Sequence, residues 1–319
     1  MPDINLAALP VLDPAKFSDP DVTAKGEPRA RVALSGLKTL WFNTGSLCNI
    51  ACDNCYIESS PTNDRLGYLG ASEVVEYLDE IALERMPVEE IGFTGGEPFM
   101  NRELPAMLEE CLGRGFRVLV LTNAMKPMHH HRIRLLALRA AYGGALTLRV
   151  SVDHYTRDKH ERLRGQRTWE PMLEGLHWLA NNGFDVHVAG RTRWDEAEPA
   201  LRTGYAALFV AENIPVDADD PMALMLFPEM DTHTDVPEIT ERCWDILGVA
   251  PASLMCATSR MVVKGKGAPN PVVVPCTLLP YDAQFKMGAR LADAASPVKL
   301  NHPFCAQFCV LGGGSCSAV

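Results

Sequence analysis

The 319-residue chain contains no apolar run approaching the roughly 20 residues that a membrane-spanning helix needs. Its opening, MPDINLAALPVLDP, has an early Asp and no basic stretch ahead of an apolar segment, so no export signal is read there. Positive charge is also in short supply: 30 Lys and Arg stand against 40 Asp and Glu, a formal charge of −10. The mean field would repel a polyanion, and neither nucleic acid nor an anionic membrane is expected as a main partner. No internal repeat or low-complexity tract is found. These absences leave a cytoplasmic globular protein, 47% apolar, long enough for one barrel-sized unit of about 250 residues and a smaller one.

What the chain does have is cysteine. Ten thiols without an export signal are expected in a reducing compartment, where clustered cysteines bind metal or do redox chemistry more often than they form disulfides. They fall into a tight trio (Cys48, Cys52, Cys55), a looser group of five (Cys256, Cys276, Cys305, Cys309, Cys316) and two singles (Cys111, Cys243). Two sites are implied.

Residues 1–37 carry five prolines and no sustained period, and read as an extended lead-in packed over a later domain. From residue 38 short apolar runs alternate with amphipathic stretches, the pattern of strands and crossover helices in a parallel sheet. Strands are predicted at 39–42, 90–93, 117–121, 146–152, 185–189 and 223–227. Helical stripes run through Val74, Val75, Leu78, Ile81 and Ala82 behind a Ser72 cap, and through Leu104, Met107, Leu108 and Cys111 up to Gly113. Others follow Ile133, Leu136, Ala137 and Ala140; Leu173, Leu176, Leu179 and Ala180; Leu201, Tyr205 and Leu208; and Ile239, Cys243, Ile246 and Leu247. The fold class is therefore α/β, six strands with about six helices over residues 38–248. After Gly248 the rhythm changes. Residues 253–263 and 271–278 read as a β-hairpin, and the Cys- and Gly-rich tail offers too little apolar surface to fold alone, so residues 249–319 should need a metal staple.

The trio follows the first strand as Leu-Cys-Asn-Ile-Ala-Cys-Asp-Asn-Cys-Tyr, residues 47–56. Three thiolates on one loop can hold an iron–sulfur cube whose fourth iron stays open for a small molecule. This C-x3-C-x2-C spacing after a first strand resembles the radical S-adenosylmethionine (radical SAM) superfamily. Gly95-Gly96-Glu97-Pro98, after the second strand, resembles that family's GGEP motif, where glycines let backbone approach the ligand.

The resemblance implies a partial (β/α)6 TIM-type barrel with a [4Fe-4S] cluster on Cys48, Cys52 and Cys55. S-adenosylmethionine would bind near Gly95, Gly96, Glu97 and Pro98, with Asn123, Ser151, Asp153 and Arg191 at later strand ends. It also implies reductive cleavage to a 5′-deoxyadenosyl radical that abstracts a substrate hydrogen, with electrons from a donor such as flavodoxin or ferredoxin. Thr122 belongs to the same set of strand-end positions, and Tyr56, just after the third cysteine, is the nearby aromatic.

The C-terminal group resembles the SPASM and Twitch extensions, in which a hairpin and a distal cysteine cluster hold auxiliary iron–sulfur clusters. Five cysteines suit one auxiliary [4Fe-4S] cluster on four of Cys256, Cys276, Cys305, Cys309 and Cys316, acting as electron acceptor or relay. Zinc is the alternative for either group. The trio lacks a fourth ligand at short spacing, whereas four thiolates on a hairpin and a tail also describe a zinc ribbon. Cys111 and Cys243, on apolar stripes, are read as core. His129, His130 and His131 diverge by about 100° each on a helix and cannot share an ion, and His154 is left without a role.

The expected substrate is a small molecule, or a peptide brought by a separate protein, because the lead-in is shorter than the leader-binding domain of many peptide maturases. The alternatives are a peptide maturase and, from another class, a non-catalytic iron–sulfur or S-adenosylmethionine-binding protein. No side chain is assigned a catalytic role beyond cofactor binding.

Overall fold

The computed structural model describes residues 10–316; the first nine residues of the lead-in and the last three of the tail lie outside them. Six parallel strands, Thr39–Asn43, Glu90–Thr94, Arg117–Thr122, Leu146–Ser151, Asp185–Arg191 and Leu224–Phe227, lie side by side in chain order. The register is continuous: Leu40 pairs with Ile91, Ile91 with Val118, Leu119 with Thr147, Leu148 with Val186, and Val188 with Leu224. Helices cross between successive strands, as the alternating pattern requires, and the result is the partial (β/α)6 barrel that the resemblance implies. The pleat sorts side chains by parity. Leu40, Phe42, Val118 and Val120 pack under the helices, while Trp41 and Leu119 point to the other face.

Six helices of eight or more residues occur among the described residues, though not all where the stripes put them. Ala71–Glu84 starts one residue before Ser72, because the Glu73 carboxylate accepts from the Gly70 N–H at 2.8 Å and the Glu103 carboxylate from the Ala71 N–H at 2.7 Å. It buries Val74, Leu78 and Ile81, with Tyr77 added and Ala82 exposed. Arg132–Tyr142 turns the opposite way from expectation: Leu135 and Leu138 are buried, and Ile133 is 85% exposed. Both sets have helical spacing, and only the position of the neighbouring sheet selects between them. The expected last helix shrinks to Cys243–Leu247, in which Ile246 and Leu247 face solvent, and Arg157–Arg164 takes its place in the count.

The hairpin forms over a shorter range than expected, Ser259–Val263 with Val272–Val274, and residues 251–257 are 3-10 turns instead. Its first strand does not stand apart: it pairs in parallel with the barrel's first strand, Thr39 opposite Ser259. The apolar supply of this region also exceeds the expectation. Its side chains form a second core with Ala30 and Val32 of the lead-in and Trp41 and Leu119 of the barrel's inner face, so its burial is borrowed rather than independent. Lead-in residues Arg31–Val32 pair with Val298–Lys299, and the buried Arg29 meets Glu238 at 2.6 Å. Among the described residues no helix is long and apolar enough to cross a membrane.

Candidate active site

The cysteine trio lies on the loop leaving the first strand, pinned by its own backbone. The Cys48 N–H donates to the Ser60 carbonyl at 3.1 Å, Glu58 N–H to the Cys55 carbonyl at 2.8 Å, and Asp53 N–H to the Leu163 carbonyl at 2.6 Å. Cys48 is buried, whereas Cys52 and Cys55 are half-buried. Burial pushes the Cys48 thiol up to about 12, aided by the Glu97 carboxylate, and burial likewise raises Cys52 against the pull of Arg164. Both would bind iron with release of a proton.

The Gly95–Pro98 turn packs directly on that loop. Gly96 N–H donates to the Gly45 carbonyl at 2.8 Å and Glu97 N–H to the Leu47 carbonyl at 3.1 Å. Gly95 has φ +139°, and a Cβ built on Gly96 would sit 2.1 Å from the Leu47 carbonyl oxygen. The glycines therefore serve the contact between two loops as much as any ligand. The Glu97 carboxylate is off the cavity wall, accepting from Thr122 Oγ1 and Asn123 N–H, each at 2.8 Å, and from Phe99 N–H at 3.2 Å. Burial pushes it up to about 7 in spite of those donors.

At the carboxyl ends of the strands opens a cavity of about 1100 Å³, its mouth included. It brings together Cys48, Cys52, Cys55, Gly95, Gly96, Asn123, Ser151, Asp153 and Arg191. Glu97 and Pro98 are not on its wall; Pro98 is buried in the turn Pro98–Met100. Thr122, grouped by sequence with Asn123, lies on the wall, as does Tyr56. Thr94 and Arg164 were not read from sequence as site residues. Arg164 ends a helix and reaches Asp153 with two bonds, at 2.9 and 3.1 Å. Burial opposes ionisation of Asp153, but Arg164 and Arg191 outweigh it and hold the carboxyl below its ordinary value. No sequence signal marks Arg164, since the pairing depends on how that helix lies. The Asn123 amide donates to Asn49 Oδ1 at 2.9 Å and approaches Cys48 Sγ at 3.9 Å, the kind of contact that tunes a cluster's potential. The cavity wall also has an apolar part, which includes Leu121, Phe227, Met230 and Phe308.

The five C-terminal cysteines divide. Cys256, Cys276, Cys305 and Cys309 line a separate pocket of about 360 Å³ whose other walls are all apolar, among them Leu254, Leu300 and Phe304. Burial pushes Cys256 up to about 11 and Cys276 up to about 12, and raises Cys305 and Cys309 well above the ordinary thiol value, with neighbouring thiols adding to it at Cys276, Cys305 and Cys309. Cys316 instead lines the large cavity with the trio. Among the described residues no three His, Cys, Asp or Glu side chains converge enough to hold a single metal ion.

The remaining candidates lie elsewhere. Cys111 is fully buried core, but Cys243 is only half-buried and accepts from Thr240 N–H at 3.3 Å. Only His130 of the histidine run is exposed; His129 packs edge-on to Trp178, and His131 bonds the Phe99 carbonyl at 3.1 Å. His154 is buried against Glu196 at 2.9 Å, away from the cavity.

Residues 42–192 match the family model of the radical SAM superfamily. The chain is 30% identical to GTP 3′,8-cyclase of Rhodococcus opacus over 55% of this chain and 51% of that protein, and 27% identical to mycofactocin maturase MftC of Mycobacterium tuberculosis over 43% and 33%. It therefore spans about half or less of the length of these relatives. Streptococcus suis SuiB bound to S-adenosylmethionine shares the fold at TM-score 0.58 and 12% identity, over 80% of this chain and 64% of that one. The structure of anSMEcpe with bound AdoMet does so at 0.54 and 12%, over 80% and 79%.

Proposed function

We propose, from the premise that the chain belongs to the radical SAM superfamily, that it is an enzyme holding a [4Fe-4S] cluster on Cys48, Cys52 and Cys55. When bound there, S-adenosylmethionine would be cleaved reductively to a 5′-deoxyadenosyl radical that takes hydrogen from a substrate. The observation that carries this reading is the single cavity shared by the three thiols, the Gly95-Gly96 turn and the strand-end polar groups. Asn123, Ser151 and Asp153 suit ribose and amino groups, and Arg191 suits a carboxylate. The apolar part of the wall suits an apolar part of the substrate. That substrate is a small molecule or a peptide delivered by a separate protein, and relatives include a GTP 3′,8-cyclase and a mycofactocin maturase. The electron donor would be a separate small redox protein such as flavodoxin or ferredoxin.

Cys256, Cys276, Cys305 and Cys309 hold an auxiliary [4Fe-4S] cluster in this reading, within a SPASM- or Twitch-like extension formed by residues 249–319. Its ligands lie in an apolar pocket behind the cavity, where a cluster can act as electron acceptor or relay. The test is anaerobic reconstitution, dithionite reduction and addition of S-adenosylmethionine. Wild type is expected to form 5′-deoxyadenosine, and the triple variant Cys48→Ala, Cys52→Ala, Cys55→Ala none, while keeping about four iron per chain at the C-terminal site. Cleavage by the triple variant would overturn the assignment, and no cleavage by wild type would favour a non-catalytic cluster protein.

A further inference from the structure

Cys316 departs from its four neighbours in sequence. It is absent from the apolar pocket they line and stands in the wall of the large cavity, with Cys48, Cys52 and Cys55 on the same surface. It is 3% exposed, and two elements fix it. The Thr277 hydroxyl donates to its sulfur at 3.2 Å from the turn that follows the hairpin, and Arg149 Nη1 donates to its carbonyl at 3.0 Å from inside the barrel. Arg149 is fully buried, one pleat below Ser151 on the same face of the fourth strand. Its Nε and Nη2 have no hydrogen-bond partner among the described residues, and Arg149 itself is not on the cavity wall.

A thiol accepting one hydrogen bond still has its own S–H free. We propose that Cys316 is not a cluster ligand but the hydrogen-atom donor of this cavity, quenching a carbon radical formed there. This rests on the radical SAM reading above. In the step, the S–H bond breaks, a C–H bond forms at the former radical carbon, and a thiyl radical remains on Cys316. One electron and one proton restore the thiol; the electron comes from a low-potential iron–sulfur centre or, in vitro, from dithionite. The direction is downhill because an S–H bond is weaker than an aliphatic C–H bond. The auxiliary cluster, whose ligands Cys276 and Cys309 lie within electrostatic reach of Cys316, would then work as a relay to the thiyl.

The test needs no knowledge of the substrate. Reconstituted holoprotein is reduced with dithionite in deuterated, thiol-free buffer with S-adenosylmethionine alone, and the 5′-deoxyadenosine is analysed by mass spectrometry. Wild type should yield product carrying one deuterium, because S–H exchanges with solvent and carbon-bound hydrogen does not. Cys316→Ala and Cys316→Ser should lose that deuterium. Iron is counted in parallel: both variants should keep about eight per chain, two cubanes. Loss of about four iron in both Cys316 variants would make it an auxiliary ligand and overturn the proposal. So would undiminished deuterium in them together with its loss in Tyr56→Phe, which would move the donor to the neighbouring phenol. Absence of 5′-deoxyadenosine from wild type would sink the underlying reading, and this one with it.

Discussion

Replacing Gly96 with alanine puts one methyl group where the structure has a carbonyl oxygen. The added Cβ would lie 2.1 Å from Leu47 O and 2.8 Å from Ser46 O, whereas ordinary contact begins at 3.4 Å. Leu47 O must retreat by roughly 1 Å, and backbone cannot rotate aside as a flexible side chain can. Overpacking of this kind costs about 1–3 kcal/mol. The hydrogen bonds from Gly96 N–H and Glu97 N–H to the same loop weaken as well, at about 1 kcal/mol net apiece. A total near 3 kcal/mol, within a factor of two, falls on the residue next to Cys48. The cluster should therefore suffer before S-adenosylmethionine binding does. Anaerobically reconstituted Gly96→Ala is expected to fall from about eight toward about four iron per chain and to melt lower. Gly144→Ala, with nothing within 4 Å of its Cβ, is the control that should change neither. A Gly96→Ala protein with full iron and wild-type melting, but no affinity for S-adenosylmethionine by equilibrium dialysis, would refute the loop-contact argument and return the glycine to a ligand-facing role.

Three further outcomes are expected. Burial holds Glu97 up at about 7 against an ordinary 4.5, so the fold is steadiest where the carboxyl stays protonated and loses roughly 3 kcal/mol as pH rises from about 4.5 through about 7. Thermal melts of wild type should thus fall between pH 5 and 8 by more than those of Glu97→Gln; equal slopes would contradict it. Arg164→Met strands the buried Asp153 carboxylate and should destabilise by about 3 kcal/mol, with Asp153→Asn in the same chain recovering part of the loss in urea titrations. Cys276→Ala should remove about four iron and expose the tail to limited proteolysis, since its pocket is closed only by apolar side chains and thiols. A full iron complement in that variant would count against the auxiliary site.

Local spacing by itself determined much of this protein. Cys48, Cys52 and Cys55 are read as one site because a short loop cannot separate them, and six apolar runs separated by amphipathic stretches admit few architectures other than a parallel β/α sheet. Which face of the helix at 132–142 turns inward was not legible, because Ile133/Leu136 and Leu135/Leu138 have the same spacing and the sheet alone breaks the tie. Glu97 looked like a ligand contact, yet its carboxylate is spent on Thr122 and Asn123, partners supplied by the next strand's end. The division of the C-terminal thiols was likewise a tertiary decision. Cys305 and Cys309, four residues apart on the helical turn Cys305–Val310, share a face and line the apolar pocket. The chain then reverses where Gly314 N–H returns to the Phe308 carbonyl at 2.7 Å, and this reversal carries Cys316 to the other cavity. Spacing along a chain fixes which groups must be near each other, but a backbone reversal can send cysteines seven positions apart to different walls, and only the packed structure records which way it turned.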